Sequence, residues 1–103
     1  MLPVREVFQA PYGRGDELVA LLKEWFEQTP AGRQVVAAGG AYRLLTDASG
    51  RFFTVVAEVE VADFAAWERL YQGFLTDPVT EEWFTRSVAV TAGGRREFYT
   101  IVP

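Results

Sequence analysis

Apolar residues repeat along this chain with two periods. From Leu2 to Ala10 they are dense enough to predict a strand, and "PYGRG" (Pro11 to Gly15) closes it as a turn. Asp16 to Gln28 changes period. Leu18, Leu21, Leu22, Trp25 and Phe26 fall at helical spacing, with Glu17, Lys23, Glu24 and Glu27 mostly opposite. "TPAGR" (Thr29 to Arg33) stops that helix. Gln34 to Thr46 and Arg51 to Val61 then read as two strands joined by "DASG". With Ala48 and Ser49 as a two-residue loop, Asp47 faces Gly50. Leu44 then opposes Phe53, Tyr42 opposes Val55, Gly40 opposes Ala57, and Ala38 opposes Val59. Those side chains share one apolar face. The other face carries Val35, Ala37, Ala41, Arg43, Leu45, Phe52, Thr54, Val56, Glu58 and Glu60. Gly39-Gly40 reads as a bulge or a place of close packing.

Asp63 is a natural N-cap for a second helix running to about Thr76, with Phe64, Trp67, Leu70, Tyr71 and Phe74 at helical spacing. Asp77-Pro78 breaks it and suits a new first turn. Pro78 to about Ala92 fits either a helical stripe (Val79, Trp83, Val90) or the alternation of "SVAVTA", and helix is preferred. Gly93-Gly94 ends it, and Arg95 to Val102 is the last strand. Strand, helix, two strands, helix, strand in 103 residues is one domain's worth of chain, residues 1–103. The order predicts an α+β, ferredoxin-like βαββαβ fold. Its four-stranded antiparallel sheet has the helices on one face, the first and third strands central, and the last strand beside the first.

The end strands echo each other, "VREVFQA" and "GGRREFYTIVP", each placing Arg-Glu ahead of aromatic residues. In the predicted strand order the start of the first strand lies beside the end of the third. Arg5 is therefore expected to pair with Glu58 or Glu60 on the face away from the helices, with Arg96 and Glu97 at the other end of the first strand. That face is too apolar to stand in water alone, and a second copy packed sheet to sheet would cover it. Charges enclosed there need partners.

Composition removes several chemistries. Net charge is −4, which does not attract nucleic acid, and no basic patch points to a membrane surface. The absence of cysteine and histidine excludes thiolate nucleophiles, thiolate metal sites and histidine-dependent haem or base chemistry. Hydroxyls such as Thr29, Thr46, Ser49, Thr54 and Thr76 have no histidine to activate them. Glu81-Glu82 reads as a solvated helix turn. No metal and no cofactor is expected, and no residue is marked as catalytic. The N-terminus lacks a signal peptide's pattern, so a cytoplasmic protein is the expectation. Tyr42, Trp67, Tyr71, Trp83 and Tyr99 are the remaining lead. They read first as core packing, and second as the walls of a pocket for a flat small molecule between sheet and helices. Glu58 reads as a structural partner of Arg5 ahead of a general base.

"VREVFQA", "GRGDELVALLKEW", "DFAAWERLYQGFLTDP" and "GGRREFYTIV" together resemble the dimeric α/β-barrel superfamily across nearly the whole chain. The last two resemble its NIPSNAP-like branch, and the antibiotic-biosynthesis monooxygenases are also members. The resemblance implies a homodimer joined through the non-helix sheet face, with a pocket between each sheet and its helices. Three functions follow as alternatives: a ligand-binding protein without known chemistry, a cofactor-independent monooxygenase or isomerase for an aromatic or polyketide-like compound, and a purely structural interaction module.

Overall fold

A computed structural model describes residues 1–39 and 41–103. They form strands β1 (Leu2–Gln9), β2 (Tyr42–Thr46), β3 (Thr54–Val61) and β4 (Gly93–Phe98). Helices α1 (Gly15–Gln28) and α2 (Pro30–Gly39) follow β1, and helices α3 (Phe64–Thr76) and α4 (Pro78–Val88) follow β3. The sheet order is β2-β3-β1-β4, antiparallel throughout, as the strand order predicted.

The chain contains a helix that the sequence reading took for a strand. Thr29 does more than stop α1. Its hydroxyl donates to the Trp25 carbonyl at 2.6 Å and accepts from the Gly32 N–H at 3.0 Å. Pro30 then supplies a preset first turn, and α2 begins at once. Ala31 and Val35, one turn apart, point into the core. Val35 is therefore 1% exposed beneath α2 and is not part of the open sheet face. Gly32 is fixed by this junction, because a Cβ there would sit 1.9 Å from the Trp25 carbonyl oxygen. Gly39 ends α2 hard against β3, where a Cβ would lie 2.1 Å from the Glu60 carbonyl oxygen. Close packing is the role of Gly39, and Gly40 lies outside the described residues.

The β2–β3 register differs from the two-residue hairpin. Tyr42 pairs with Val59, Leu44 with Ala57, and Thr46 with Val55. Asp47 closes the ladder against Thr54, accepting its N–H at 3.0 Å through Oδ1 and donating its own N–H to the Thr54 carbonyl at 3.2 Å. Phe53 thus leaves the strand and takes φ +57, with its carbonyl accepting the Ala10 N–H. The slip is four residues, an even number, so Tyr42 and Leu44 still face the helices with Val55, Ala57 and Val59.

A parallel device starts α4. Asp77 accepts from the Val79 N–H at 3.0 Å and the Thr80 hydroxyl at 2.8 Å, while Pro78 fills the first turn. Its second oxygen also accepts the Ala31 N–H at 3.3 Å, so one carboxylate serves the starts of α2 and α4. Burial alone would raise this carboxyl, but the hydrogen bonds from Thr80, Val79 and Ala31 outweigh it and hold it below the usual range. The helical stripe expected to Ala92 ends at Val88, and Val90 turns back into the core at 4% exposure.

Gly32→Ala is expected to cost about 1–3 kcal/mol, since backbone must move to admit the methyl group. Gly73→Ala in α3, whose Cβ would meet only the Gln34 side-chain oxygen at an ordinary 3.6 Å, is expected to gain about 0.5–1 kcal/mol. Urea unfolding of the two variants checks both signs.

Candidate functional site

Alternation along β1 sends Leu2, Val4, Glu6 and Phe8 toward the helices and Pro3, Arg5, Val7 and Gln9 away from them. The antiparallel β1–β4 register sets Arg5 opposite Glu97 and Glu6 opposite Arg96. Each Arg-Glu dipeptide therefore meets its reversed copy. This corrects the expectation that Arg96 and Glu97 stand at the far end of β1. It also gives the echo of the two strands a physical meaning: one opposed pair of charges lies on each face of the sheet.

On the open face, Arg5 donates to Glu58 Oε1 at 2.5 Å, and Arg43 donates to Glu58 Oε2 through Nε at 3.0 Å. The hydrogen bond from Arg43, together with that from Arg5, holds the Glu58 carboxyl below the usual range against the effect of burial. An acid so held is a poor base, so pairing is the role of Glu58. Glu60 stands opposite Pro3 and is exposed, without an ion-pair partner among the described residues. Strand pairing places Glu58, not Glu60, beside Arg5. Tyr99 also belongs here. Its hydroxyl donates to Glu97 at 2.7 Å, and the Arg5 guanidinium lies 5.3 Å from its ring centroid.

The helix face encloses a cavity of about 650 Å³. Ala57, Val59, Phe8 and the Glu6–Arg96 pair form its floor, while Trp25, Trp67, Tyr71, Phe74 and Trp83 wall it. Leu75, Phe84 and Val88 line it yet remain 63%, 60% and 57% exposed, which places them at its mouth. The walls are braced through indole N–H groups. Trp25 Nε1 donates to Thr80 Oγ1 at 3.0 Å and Trp83 Nε1 to the Leu21 carbonyl at 2.6 Å.

Of the aromatic residues singled out from the sequence, Trp67, Tyr71 and Trp83 thus share one cavity. Tyr42 and Tyr99 lie outside its lining. Tyr42 stacks on Phe26 at 4.2 Å and donates to Glu27 at 2.7 Å. Desolvation and then the Glu27 carboxylate push its hydroxyl up to about 12, so it stays protonated. Tyr99 is carried to the opposite sheet face by strand alternation.

Glu6 and Arg96 were legible as an echo but not as a site. Arg96 donates through Nε to Glu6 Oε1. Its guanidinium lies 4.9 Å from the Trp67 centroid and 5.0 Å from that of Tyr71. Burial pushes the Glu6 carboxyl above its ordinary value, and it prevails over the opposing hydrogen bond and charge of Arg96. Both side chains keep some access, 21% for Glu6 and 34% for Arg96.

No family model and no curated protein matches this sequence. Solved structures do match, and they show a ferredoxin-like, NIPSNAP-like fold. An uncharacterised NIPSNAP domain protein from Burkholderia xenovorans superposes with TM-score 0.78 at 17% identity, covering 99% of this chain and 95% of the other. A NIPSNAP family protein from Agrobacterium tumefaciens gives 0.79 at 11% identity, covering 98% and 85%. An antibiotic biosynthesis monooxygenase gives 0.71 at 19% identity, covering 100% of both chains.

Arg96→Met removes the guanidinium that draws the Glu6 carboxyl down, so its titration should move further up in carbon-detected NMR. A carboxyl raised in the fold stabilises most below its unfolded pKa, and that contribution is lost as pH rises through its folded pKa. Arg96→Met should therefore lose about 1–3 kcal/mol at alkaline pH and less in mild acid, measured by urea unfolding at both.

Proposed function

We propose that the protein binds a small, flat, largely apolar molecule between sheet and helices, and does so as a homodimer. The observation that carries the ligand reading is the aromatic-walled cavity of about 650 Å³ with one ion pair on its floor. A cavity of this size, mostly apolar with few polar groups, is the usual form of a small-molecule site. Three tryptophans and the neighbouring Phe74 and Tyr71 supply flat surfaces suited to a planar ring system. Trp67, Tyr71 and Trp83 are the candidate ligand-contacting residues.

The dimer reading rests on the open sheet face. Leu45 and Val56 are cross-strand partners there, and with Val7 they make an apolar strip. A shallow trough runs along it, flanked by Arg95. The Arg5–Glu58–Arg43 network borders the strip, with Glu58 bridging both arginines within one chain. A second copy, packed sheet to sheet, would cover the apolar strip and leave these charges at its border.

A cofactor-independent monooxygenase or isomerase is the second reading, and Glu6 favours it. A carboxyl pushed up inside an apolar cavity is a stronger base than an ordinary carboxylate, which is what a general base requires. The monooxygenase that shares this fold lends the reading context. Oxygen uptake across a panel of quinol-like compounds tests it, and silence throughout the panel counts against it. Among the described residues no helix is long and apolar enough to cross a membrane.

The neutral two-ring compound 1-naphthamide is expected to bind saturably. At a hundredfold excess over its Kd it should raise the unfolding free energy by about 2.7 kcal/mol. No stabilisation by this compound or by its acid, 1-naphthoate, up to their solubility limits would remove the ligand reading. Native mass measurement should give twice the subunit mass, with any retained ligand. Val56→Arg, a charge placed in the middle of the strip, should halve that mass without unfolding the chain. A wild-type protein that stays a single subunit at micromolar concentration would remove the dimer.

A further inference from the structure

The ion pair on the cavity floor leaves much of its hydrogen-bonding capacity unused. Arg96 meets Glu6 through Nε, and its two terminal nitrogens have no hydrogen-bond partner among the described residues. Glu6 uses Oε1, and Oε2 likewise has no partner there. Both side chains keep access, 34% for Arg96 and 21% for Glu6, and Glu6 Oε2 is not sealed. Both side chains line the cavity. The guanidinium carbon lies 4.9 Å and 5.0 Å from the Trp67 and Tyr71 ring centroids, so the charged end sits among the cavity's aromatic walls. A planar fork of N–H groups at the base of an aromatic slot matches a carboxylate or a comparable oxyanion.

An anion seated on that fork would lie beside the Glu6 carboxylate, and two like charges in an apolar space repel strongly. A proton on Glu6 removes the conflict. We propose that the cavity selects flat apolar molecules bearing one acidic group, whose anion seats on the Arg96 fork while Glu6 takes a proton. This rests on the ligand-binding reading above and names the class of ligand. For a ligand that enters as a neutral acid, its O–H bond breaks and a new O–H bond forms at Glu6 Oε2. The bonding electron pair stays on the ligand oxygen. The cavity floor is neutral before the transfer, as Glu6⁻ with Arg96⁺, and neutral after it, as the ligand anion with Arg96⁺. A ligand that enters as an anion takes the proton from solvent instead.

Three other titratable groups among the described residues face the cavity. Arg96 faces it from β4. Tyr71 on α3 and Glu81 on α4 complete the titratable groups among the described residues that line the cavity, while the residues contributed by β3, α1 and α2 carry no charge. Burial has already moved the Glu6 carboxyl toward its protonated form.

Isothermal calorimetry of 1-naphthoate, in two buffers with different heats of ionisation, counts the protons. Uptake approaching one proton per naphthoate is expected, against none for 1-naphthamide. Naphthoate affinity should fall roughly tenfold per pH unit above the Glu6 titration. Glu6→Gln should abolish both the uptake and the pH dependence, and Arg96→Gln should lose naphthoate binding. If either variant fails to fold, the proton count on the unaltered protein decides alone. Naphthoate that binds without proton uptake, or fails to bind while naphthamide does, overturns this inference and leaves the cavity reading standing. Failure of both compounds removes the cavity reading and the inference together.

Discussion

The register between the first and last strands governs this molecule. Two Arg-Glu dipeptides run antiparallel, so each arginine meets the other strand's glutamate, and pleating sends the two opposed pairs to opposite faces. A slip of one residue would set like charges across from each other and drive apolar side chains to the wrong side. The Arg5–Glu97 pair joins the charge lattice of the open face. The Glu6–Arg96 pair is placed on the helix-covered face, among the largely apolar side chains Phe8, Ala57 and Val59.

That second pair shapes the interior. A charged pair under helices cannot be packed over with methyl groups without stranding its unused polar atoms. The aromatic side chains of α1, α3 and α4 instead stand around it as walls, and space is left above it. Cavity and ion pair are thus two aspects of one arrangement. The exposed apolar residues of α3 and α4 make sense in the same way, because Leu75, Phe84 and Val88 line an opening and not a tightly closed core.

Much of the fold was legible from periodicity. β1, α1, α3 and the strand order follow from alternation, helical spacing and right-handed crossovers, and the Arg5–Glu58 contact follows from the order. α2 was not, although its signal was present. Thr29-Pro30 and Asp77-Pro78 are the same instruction: a side-chain oxygen to cap and a proline to begin. Only the second was read as a restart, because "QVVAAGGAY" is rich in small and β-branched residues that also suit a strand. The hairpin was misplaced because "DASG" imitates a tight turn, whereas Asp47 reaches across to Thr54 and encloses the whole segment. The cavity residues were half legible. Aromatic spacing marked Trp67, Tyr71 and Trp83. Glu6 and Arg96 escaped notice as a site because their meaning depends on which strands touch and in what register.

The tryptophans carry an optical consequence. All three in the sequence, Trp25, Trp67 and Trp83, line the same cavity. The indole emission of the whole protein therefore reports on one small volume, with no background signal from elsewhere on the chain. Whatever enters or leaves that space changes the colour and intensity of the protein's own light.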